Sequence, residues 1–293
     1  PVIALTGSNG KTTTKELLTA ALSTTHCVLA TKGNFNNHIG VPLTLLRLTK
    51  SHTHAIIEMG ANHLKEIDFL CNITEPTHGL ITNVGKAHLE GFGSEEGVLK
   101  GKTELYRFLE KNDGTVFVNE ENAKLFEALG KNKYIAYTPS KYLILSNHPT
   151  LKLTFNGIHI DTQLAGSYNK TNIAAAVCVA NVFGVSIEKS IDAISSYNPI
   201  NHRSQLIQKN NKNIILDAYN ANPTSMRAAV LSFSEKTGEK AVILGTMAEL
   251  GAHEANEHEA LVKLVKSLKI GNCYWIGTPY KDFVDAKWYE TTD

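Results

Sequence analysis

The chain has 293 residues, 42% hydrophobic and 19% charged, enough to bury more than one core. Its 29 Lys and Arg against 28 Asp and Glu leave no broad field to draw it to nucleic acid or an anionic membrane, so any anion chemistry must come from a local site. No apolar run reaches about 18 residues and no secretory leader pattern is present, so neither a membrane span nor export is expected.

The four cysteines, Cys27, Cys71, Cys178 and Cys273, form no CxxC pair and read as buried thiols of a reducing, cytoplasmic compartment. From the first residues the chain alternates short apolar runs with helical patterns. Val2–Thr6 reads as a strand already in progress, which suggests a start inside a longer protein. A helix over residues 11–23 follows, then strands at 27–30 and 54–58, a helix at 64–71, a strand at 79–82 and a helix near 95–109. Strands at 116–119 and 134–137 complete a βαβα rhythm, the pattern of a mostly parallel sheet with helices on both faces. Residues 143–145, 151–155 and 158–164 are shorter and closer together. Asn156-Gly157, between alternating apolar residues, predicts a hairpin, so a small antiparallel patch is expected there. Helices are predicted over 169–183 and 187–196.

Around Asn198-Pro199-Ile200-Asn201 the rhythm breaks and restarts. Strands are predicted at 214–217, 241–244, 273–276 and 287–289, with helices at 225–234 and 254–268. The expected fold class is therefore α/β. A phosphate-loop domain with a mostly parallel sheet spans residues 1–200, and a smaller Rossmann-like domain, expected to be incomplete, spans 201–293.

Thr6-Gly-Ser-Asn-Gly-Lys-Thr-Thr-Thr14 lies between the first strand and the first helix. Backbone N–H groups in such a loop point at phosphate oxygens, and the helix N-terminus adds its dipole. Gly7, Ser8, Asn9, Gly10, Lys11, Thr12 and Thr13 are the candidate cradle, with Lys11 aimed at the β/γ-phosphates and the Thr12 hydroxyl at Mg²⁺. The loop is shorter than the standard motif, because Leu5 stands where the first glycine belongs and Gly7 comes two residues later. Glu58 closes a predicted strand, at the sheet edge where open α/β sheets bind ligands, and a carboxylate suits Mg²⁺. His88 follows the next strand along the same edge.

This shortened loop resembles that of the Mur ligase and folylpolyglutamate synthase superfamily, and further strings agree with it in order. They are Thr82-Asn-Val-Gly-Lys-Ala-His-Leu-Glu-Gly-Phe-Gly93, Lys100-Gly-Lys-Thr-Glu-Leu-Tyr106, Gly166-Ser-Tyr-Asn-Lys-Thr-Asn172, Asn201-His-Arg-Ser204, Asp217-Ala-Tyr-Asn-Ala-Asn-Pro223 and Leu244-Gly-Thr-Met-Ala-Glu-Leu-Gly251. The resemblance spans Pro1 to about His258 and is nearest to the member that adds D-Ala-D-Ala.

It implies an ATP-dependent carboxylate–amine ligase of peptidoglycan precursor synthesis. ATP would phosphorylate the tripeptide carboxylate of UDP-N-acetylmuramoyl-tripeptide, and the D-Ala-D-Ala amine would attack the acyl phosphate. Two Mg²⁺ ions would be held by Thr12, Glu58, His88 and Lys102, the last as a carbamate. Asn169 and Asn172 would approach adenine, Asp217 the ribose, and Arg203 the γ-phosphate. Asn34, Asn36 and Asn37 would line the muramyl-peptide side, and Tyr219, Asn220 and Asn222 would contact substrate. The implied catalytic set is Lys11, Lys102, His88 and Arg203. The chain departs from the family pattern at His38, where an acidic residue is expected, and at His202, where glycine is usual. The uridine-nucleotide domain that normally precedes the loop is not in this sequence.

Two other readings are another amide ligase of the superfamily and a non-catalytic nucleotide-binding module. Several local signals are set aside. His253 and His258 are five apart, not the four that a zinc-protease helix needs. Gly91, Gly93 and Gly97 have the wrong spacing for a dinucleotide fingerprint. Asn72-Ile-Thr74 and Asn169-Lys-Thr171 are chance glycosylation matches without export.

Overall fold

The computed structural model describes residues 1–200, 202–285 and 287–291. The domain boundary expected at Asn201 and the expected terminus at Asp293 lie outside the described residues.

The first half follows the predicted rhythm. It runs β1 (Val2–Thr6), α1 (Lys11–Leu22), β2 (Val28–Ala30), α2 (Gly40–Leu45), β3 (His54–Glu58), α3 (Glu66–Thr74), β4 (His78–Ile81), α4 (Leu89–Phe92), α5 (Glu95–Lys102), α6 (Glu104–Lys111), β5 (Thr115–Asn119), α7 (Ala123–Glu127) and β6 (Lys133–Tyr137). The expected single helix near 95–109 is two helices. The chain turns at Thr103, whose hydroxyl donates to the Leu99 carbonyl at 2.8 Å.

Strands β1 to β6 form one parallel sheet in the order β2-β3-β1-β4-β5-β6. Alternation along β1 sends Ile3 and Leu5 to one face and Ala4 to the other. On the first face they pack with Leu17, Leu18 and the alanines of α8 (Asn169–Val182). Those small side chains let α8 lie close against α1. On the second face, α3 and α6 supply Ile67, Leu70, Leu105 and Leu109. Each of these leucines contributes about 2 kcal/mol by leaving water.

Three short strands, β7 (Leu143–Ser146), β8 (Lys152–Phe155) and β9 (Ile158–Asp161), make the antiparallel patch. The expected Asn156-Gly157 turn is present, with φ of 49° and 80°, both left-handed as a type I′ hairpin requires. Helices α8 and α9 (Ile187–Ser196) follow.

The second half begins with a hairpin of β10 (Gln205–Lys209) and β11 (Lys212–Leu216), turning at Asn210 and Asn211, also both left-handed. Only the second of these strands was expected, because the polar Gln-Leu-Ile-Gln-Lys run hides the first. Then come α10 (Pro223–Ser234), β12 (Ala241–Leu244), α11 (Glu254–Ser267), β13 (Asn272–Ile276) and β14 (Trp288–Tyr289), the three strands parallel. Cys27, in the connection just before β2, is exposed rather than buried; Cys71 is buried, and the other two are intermediate. Among the described residues no helix is long and apolar enough to cross a membrane.

At the N-terminal end of the sheet three imidazoles gather. The His54 ring lies 4.1 Å from that of His26 and edge-on to Phe183 at 5.0 Å, and His78 packs on Phe183 and Phe117. Burial, then the neighbouring His26, push His54 down to about 4. An unfolded imidazole takes its proton near 6.5, whereas the folded His54 ring takes it only near 4. Stability should therefore fall as pH drops from about 6.5 to about 4 and change little from this source below that. Solvent access holds the loss to about 1–2 kcal/mol. Urea unfolding at stepped pH checks this. A His54→Gln chain should lose less over that window, and an equal loss would clear His54 of the effect.

Candidate active site at the sheet edge

In the strand order, the connection after β1 leads toward the β2 edge, whereas those after β3 and β4 lead toward the β6 edge. That reversal opens a crevice at the carboxyl ends, where such sheets bind ligands. The phosphate loop follows β1, Glu58 ends β3, and Thr82-Asn83 follows β4.

The loop is built around two glycines with positive φ, Gly7 at 142° and Gly10 at 79°. A Cβ on Gly7 would lie 2.0 Å from the Thr82 hydroxyl, and one on Gly10 would lie 2.5 Å from Asn172 Oδ1. Neither position has room for a side chain, nor the backbone for one. Ser8 N donates to the Asn83 carbonyl at 3.0 Å, and Asn9 N donates to Asn83 Oδ1 at 3.0 Å. The Asn9 carbonyl accepts from Thr82 Oγ1 and Asn83 Nδ2. Lys11 curls back over the loop, its Nζ donating to the carbonyls of Gly7 at 2.7 Å and Ser8 at 3.2 Å. Burial pushes its pKa down; Glu58 opposes this and the charge of Arg203 adds to it.

Glu58 is 1% exposed. Its Oε1 accepts from Thr12 Oγ1 at 3.2 Å and from Asn36 Nδ2 at 2.8 Å, while Oε2 has no hydrogen-bond partner. The nearest cation to Oε2 is Lys15, at 3.6 Å and itself fully buried. Lys15 also donates to the Gly33 carbonyl at 3.3 Å. A buried carboxylate oxygen without a donor, beside a threonine hydroxyl, is a donor set that suits Mg²⁺.

His88 sits at φ 53° and pairs through Nδ1 with the Glu249 carboxylate, which comes from the second half. Glu249 is itself left-handed, at φ 60°. Burial holds His88 below its ordinary pKa; Glu249 pulls it up, and Lys102 and Lys11 push it down, so these charges share one neighbourhood. Lys102 ends α5 fully buried, donates to the Ala61 carbonyl at 2.9 Å and lies 5.2 Å from the Phe92 ring centre. Burial first, then Lys11, drive its pKa well below the ordinary lysine value, against the pull of Glu66 and Glu104.

At the start of α8, Asn172 Oδ1 accepts from Thr14 Oγ1 at 3.2 Å, and its Nδ2 donates to Asn169 Oδ1 at 2.9 Å. Asp217 is held at both oxygens, by Tyr168 OH at 3.0 Å and Ser204 N at 3.2 Å. The Arg203 guanidinium lies 3.6 Å from the ring centre of Tyr219.

The family model described as Mur ligase middle domain matches residues 5–180, and Mur ligase, glutamate ligase domain matches 202–288. The chain belongs to the Mur ligase family. This Mur ligase chain is 35% identical over 291 residues to the UDP-N-acetylmuramoyl-tripeptide--D-alanyl-D-alanine ligase of Escherichia coli K12, covering 94% of its own length and 64% of that protein. It is 35% identical to the enzyme of the same name from Bacillus subtilis 168, of which it spans 62%. Among solved structures, MurF from Acinetobacter baumannii superposes with a TM-score of 0.89 at 34% identity, over 99% of this chain and 67% of that one. The MurF ligase of Thermotoga maritima in complex with ADP gives 0.86 at 25% identity, over 99% and 70%.

The Mur ligase fold thus brings Lys11, Thr12, Glu58 and Asn36 together at one edge, with His88 and Lys102 close enough for their charges to interact. Among the described residues no three His, Cys, Asp or Glu side chains form a metal-binding group. Asn37 instead accepts from the amides of Ile39 and Gly40 at the start of α2, and Asn34 is exposed. Asn220 Oδ1 accepts from Ala221 N, and Tyr219 serves as the platform for Arg203. His258 is buried, accepting from Met247 N at Nε2, and so braces the chain after β12.

Sequence reasoning missed Lys15, Tyr168, Asn83 and the role of Glu249. Lys15 had a signal, since it lies four residues after Lys11 on one helix face. The others are joined to their partners only by the fold.

Proposed function

We propose that this chain is the ATP-binding and amine-accepting part of a ligase that joins D-Ala-D-Ala to the tripeptide carboxylate of UDP-N-acetylmuramoyl-tripeptide. Residues 1–200 and 201–293 are its two domains. The observation that carries this reading is the buried Glu58, with one oxygen on Thr12 and Asn36 and the other without a donor, beside Lys11 in a phosphate loop. The 35% identity to enzymes named for that reaction supports the choice of substrates.

Lys11 exchanges its two loop carbonyls for oxygens of the transferring phosphoryl group. Arg203, from the second domain, adds a second cation there. The γ-phosphoryl group passes to a carboxylate oxygen and ADP leaves. The dipeptide amine then attacks the acyl carbon, the C–O bond to phosphate breaks, and these cations stabilise the oxyanion. Two Mg²⁺ ions would supply charge neutralisation and phosphoryl polarisation. Thr12, Glu58, His88 and Lys102 would hold them, Lys102 as a carbamate formed by its deprotonated amine and CO₂. Glu249 already engages His88 Nδ1, so Nε2 is the nitrogen that would be free to hold a metal. Asp217, Asn169 and Asn172 hold the nucleoside, and Asn34, Asn36 and Asn37 border the peptide.

The test is phosphate release by the full-length reading frame given ATP, Mg²⁺ and the uridine-linked tripeptide, with D-Ala-D-Ala or single amino acids as acceptor. Release should require the tripeptide and be fastest with the dipeptide. Preference for a single amino acid would point to another amide ligase of the superfamily, and no release with any acceptor would point to a nucleotide-binding module.

A further inference from the structure

The first turn of α10 is pressed against the phosphate loop, and its capping residue does more than cap. Asn222 Oδ1 accepts from Ser225 N at 2.9 Å, and Ser225 Oγ accepts from Asn222 N at 3.1 Å, a reciprocal capping box. The box leaves Asn222 Nδ2 to spare. That group donates to Asn9 Oδ1 at 2.7 Å, and Asn9 Nδ2 donates back to Asn222 Oδ1 at 3.3 Å. The two amides form a closed pair across 213 residues of sequence, and Asn222 is only 6% exposed.

Asn9 is the tip of the loop. Its own amide and carbonyl are already held by Thr82 and Asn83 after β4, so its side chain is the remaining handle. Two residues on from Asn222 in the same turn, Thr224 accepts from Lys86 N at 2.9 Å, and its Oγ1 would lie 2.6 Å from a Cβ on Gly85. Gly85 in turn exchanges hydrogen bonds with Ser8 Oγ, both 3.1 Å. One helical turn therefore braces both Ser8 and Asn9, immediately before the N–H groups of Gly10 to Thr12, which would face a phosphate in the proposed nucleotide site.

We infer that Asn222 is a positioning residue of the nucleotide site: its amide pair with Asn9 fixes the tip of the phosphate loop only when α10 is docked on it. This rests on the proposed nucleotide role of the loop. Docking of α10 and nucleotide binding then favour one another by the same factor, since such coupling is reciprocal.

The experiment is calorimetric titration of Mg-ADP into the parent chain, Asn222→Ser, Asn9→Ala and the double variant. Serine is as good a cap as asparagine but cannot complete the pair, and Asn9→Ala breaks the same pair while leaving the cap intact. Each single change should weaken Mg-ADP about 5- to 10-fold, the scale of a buried hydrogen-bonded pair. The double variant should be no weaker than the worse single, and the nucleotide-free melting temperature of Asn222→Ser should stay within about 2 °C of the parent. Parental affinity in either single variant, or losses that multiply in the double, would overturn the inference. A parent chain that binds no Mg-ADP would overturn the proposed function first and this inference with it.

Discussion

Replacing Lys11 with alanine should cut turnover of the full-length enzyme by about 10³-fold or more while leaving the chain folded. Lys11 is the only lysine in the phosphate loop, and its Nζ already sits over that loop on the Gly7 and Ser8 carbonyls. Those two bonds run within one short stretch of the same loop and join no distant elements, so their loss costs little fold stability. The chemistry is a different matter. Charge moves onto the leaving and transferring oxygens in the transition state, and a cation fixed beside them is worth several kcal/mol in a site this poorly hydrated. Burial pushes the Lys11 pKa down, with Glu58 opposing and Arg203 adding to it, so Arg203 lies close enough for its charge to be felt at Lys11. Arg203→Ala should therefore also be slow, and the double variant should fall short of the product of the two losses, because neighbouring groups do not act additively. Steady-state kinetics with circular dichroism on each variant decides this. A Lys11→Ala enzyme within tenfold of the parent would sink the assignment of the loop.

Lys102→Ala should be slower by about 10²-fold or more and should recover part of its rate in added formate or acetate. A fully buried lysine is costly to keep charged. Here the ammonium is disfavoured by burial and by Lys11, with Glu66 and Glu104 too weak to restore it. The uncharged amine is the form that attacks CO₂, and the product carries two oxygens where the lysine carried a positive charge. Its neighbours, the Ala61 carbonyl and the Phe92 ring, hold the nitrogen in place without competing for the reaction. The proposed carbamate would be lost in acid, so activity should fall as pH drops and be restored by bicarbonate near neutrality. A ¹³C resonance from labelled CO₂, absent in Lys102→Ala, reports the adduct without any turnover. Full activity of Lys102→Ala in CO₂-free buffer would dispose of the carbamate.

Much of the fold was legible from local pattern. Val2–Thr6 and Ala241–Leu244 end where the apolar runs end, and Asn156-Gly157 turns as its left-handed preference demands. Polar strands were harder. Gln205–Lys209 carries too little apolar signal to be read, and it is a strand because Asn210-Asn211 folds it back on β11. The run over 95–109 keeps one helical period, so the break at Thr103 left no trace in the pattern.

The sequence by itself determined which groups are candidates for chemistry: a glycine-lysine loop whose residues are adjacent in the chain, strand-end Glu58, and a family pattern that points to Asn169, Asn172, Arg203 and Asp217. Those features are local, and local geometry follows from φ preference, periodicity and capping. Only the tertiary structure decided which of these groups meet. The order β2-β3-β1-β4 sets Glu58 beside Thr12, 46 residues away, and buries Lys15 against it. Docking of the second half brings Glu249 to His88 and Asn222 to Asn9, 161 and 213 residues apart. Contacts at such separation depend on how whole elements pack, because no local preference of either residue encodes its partner.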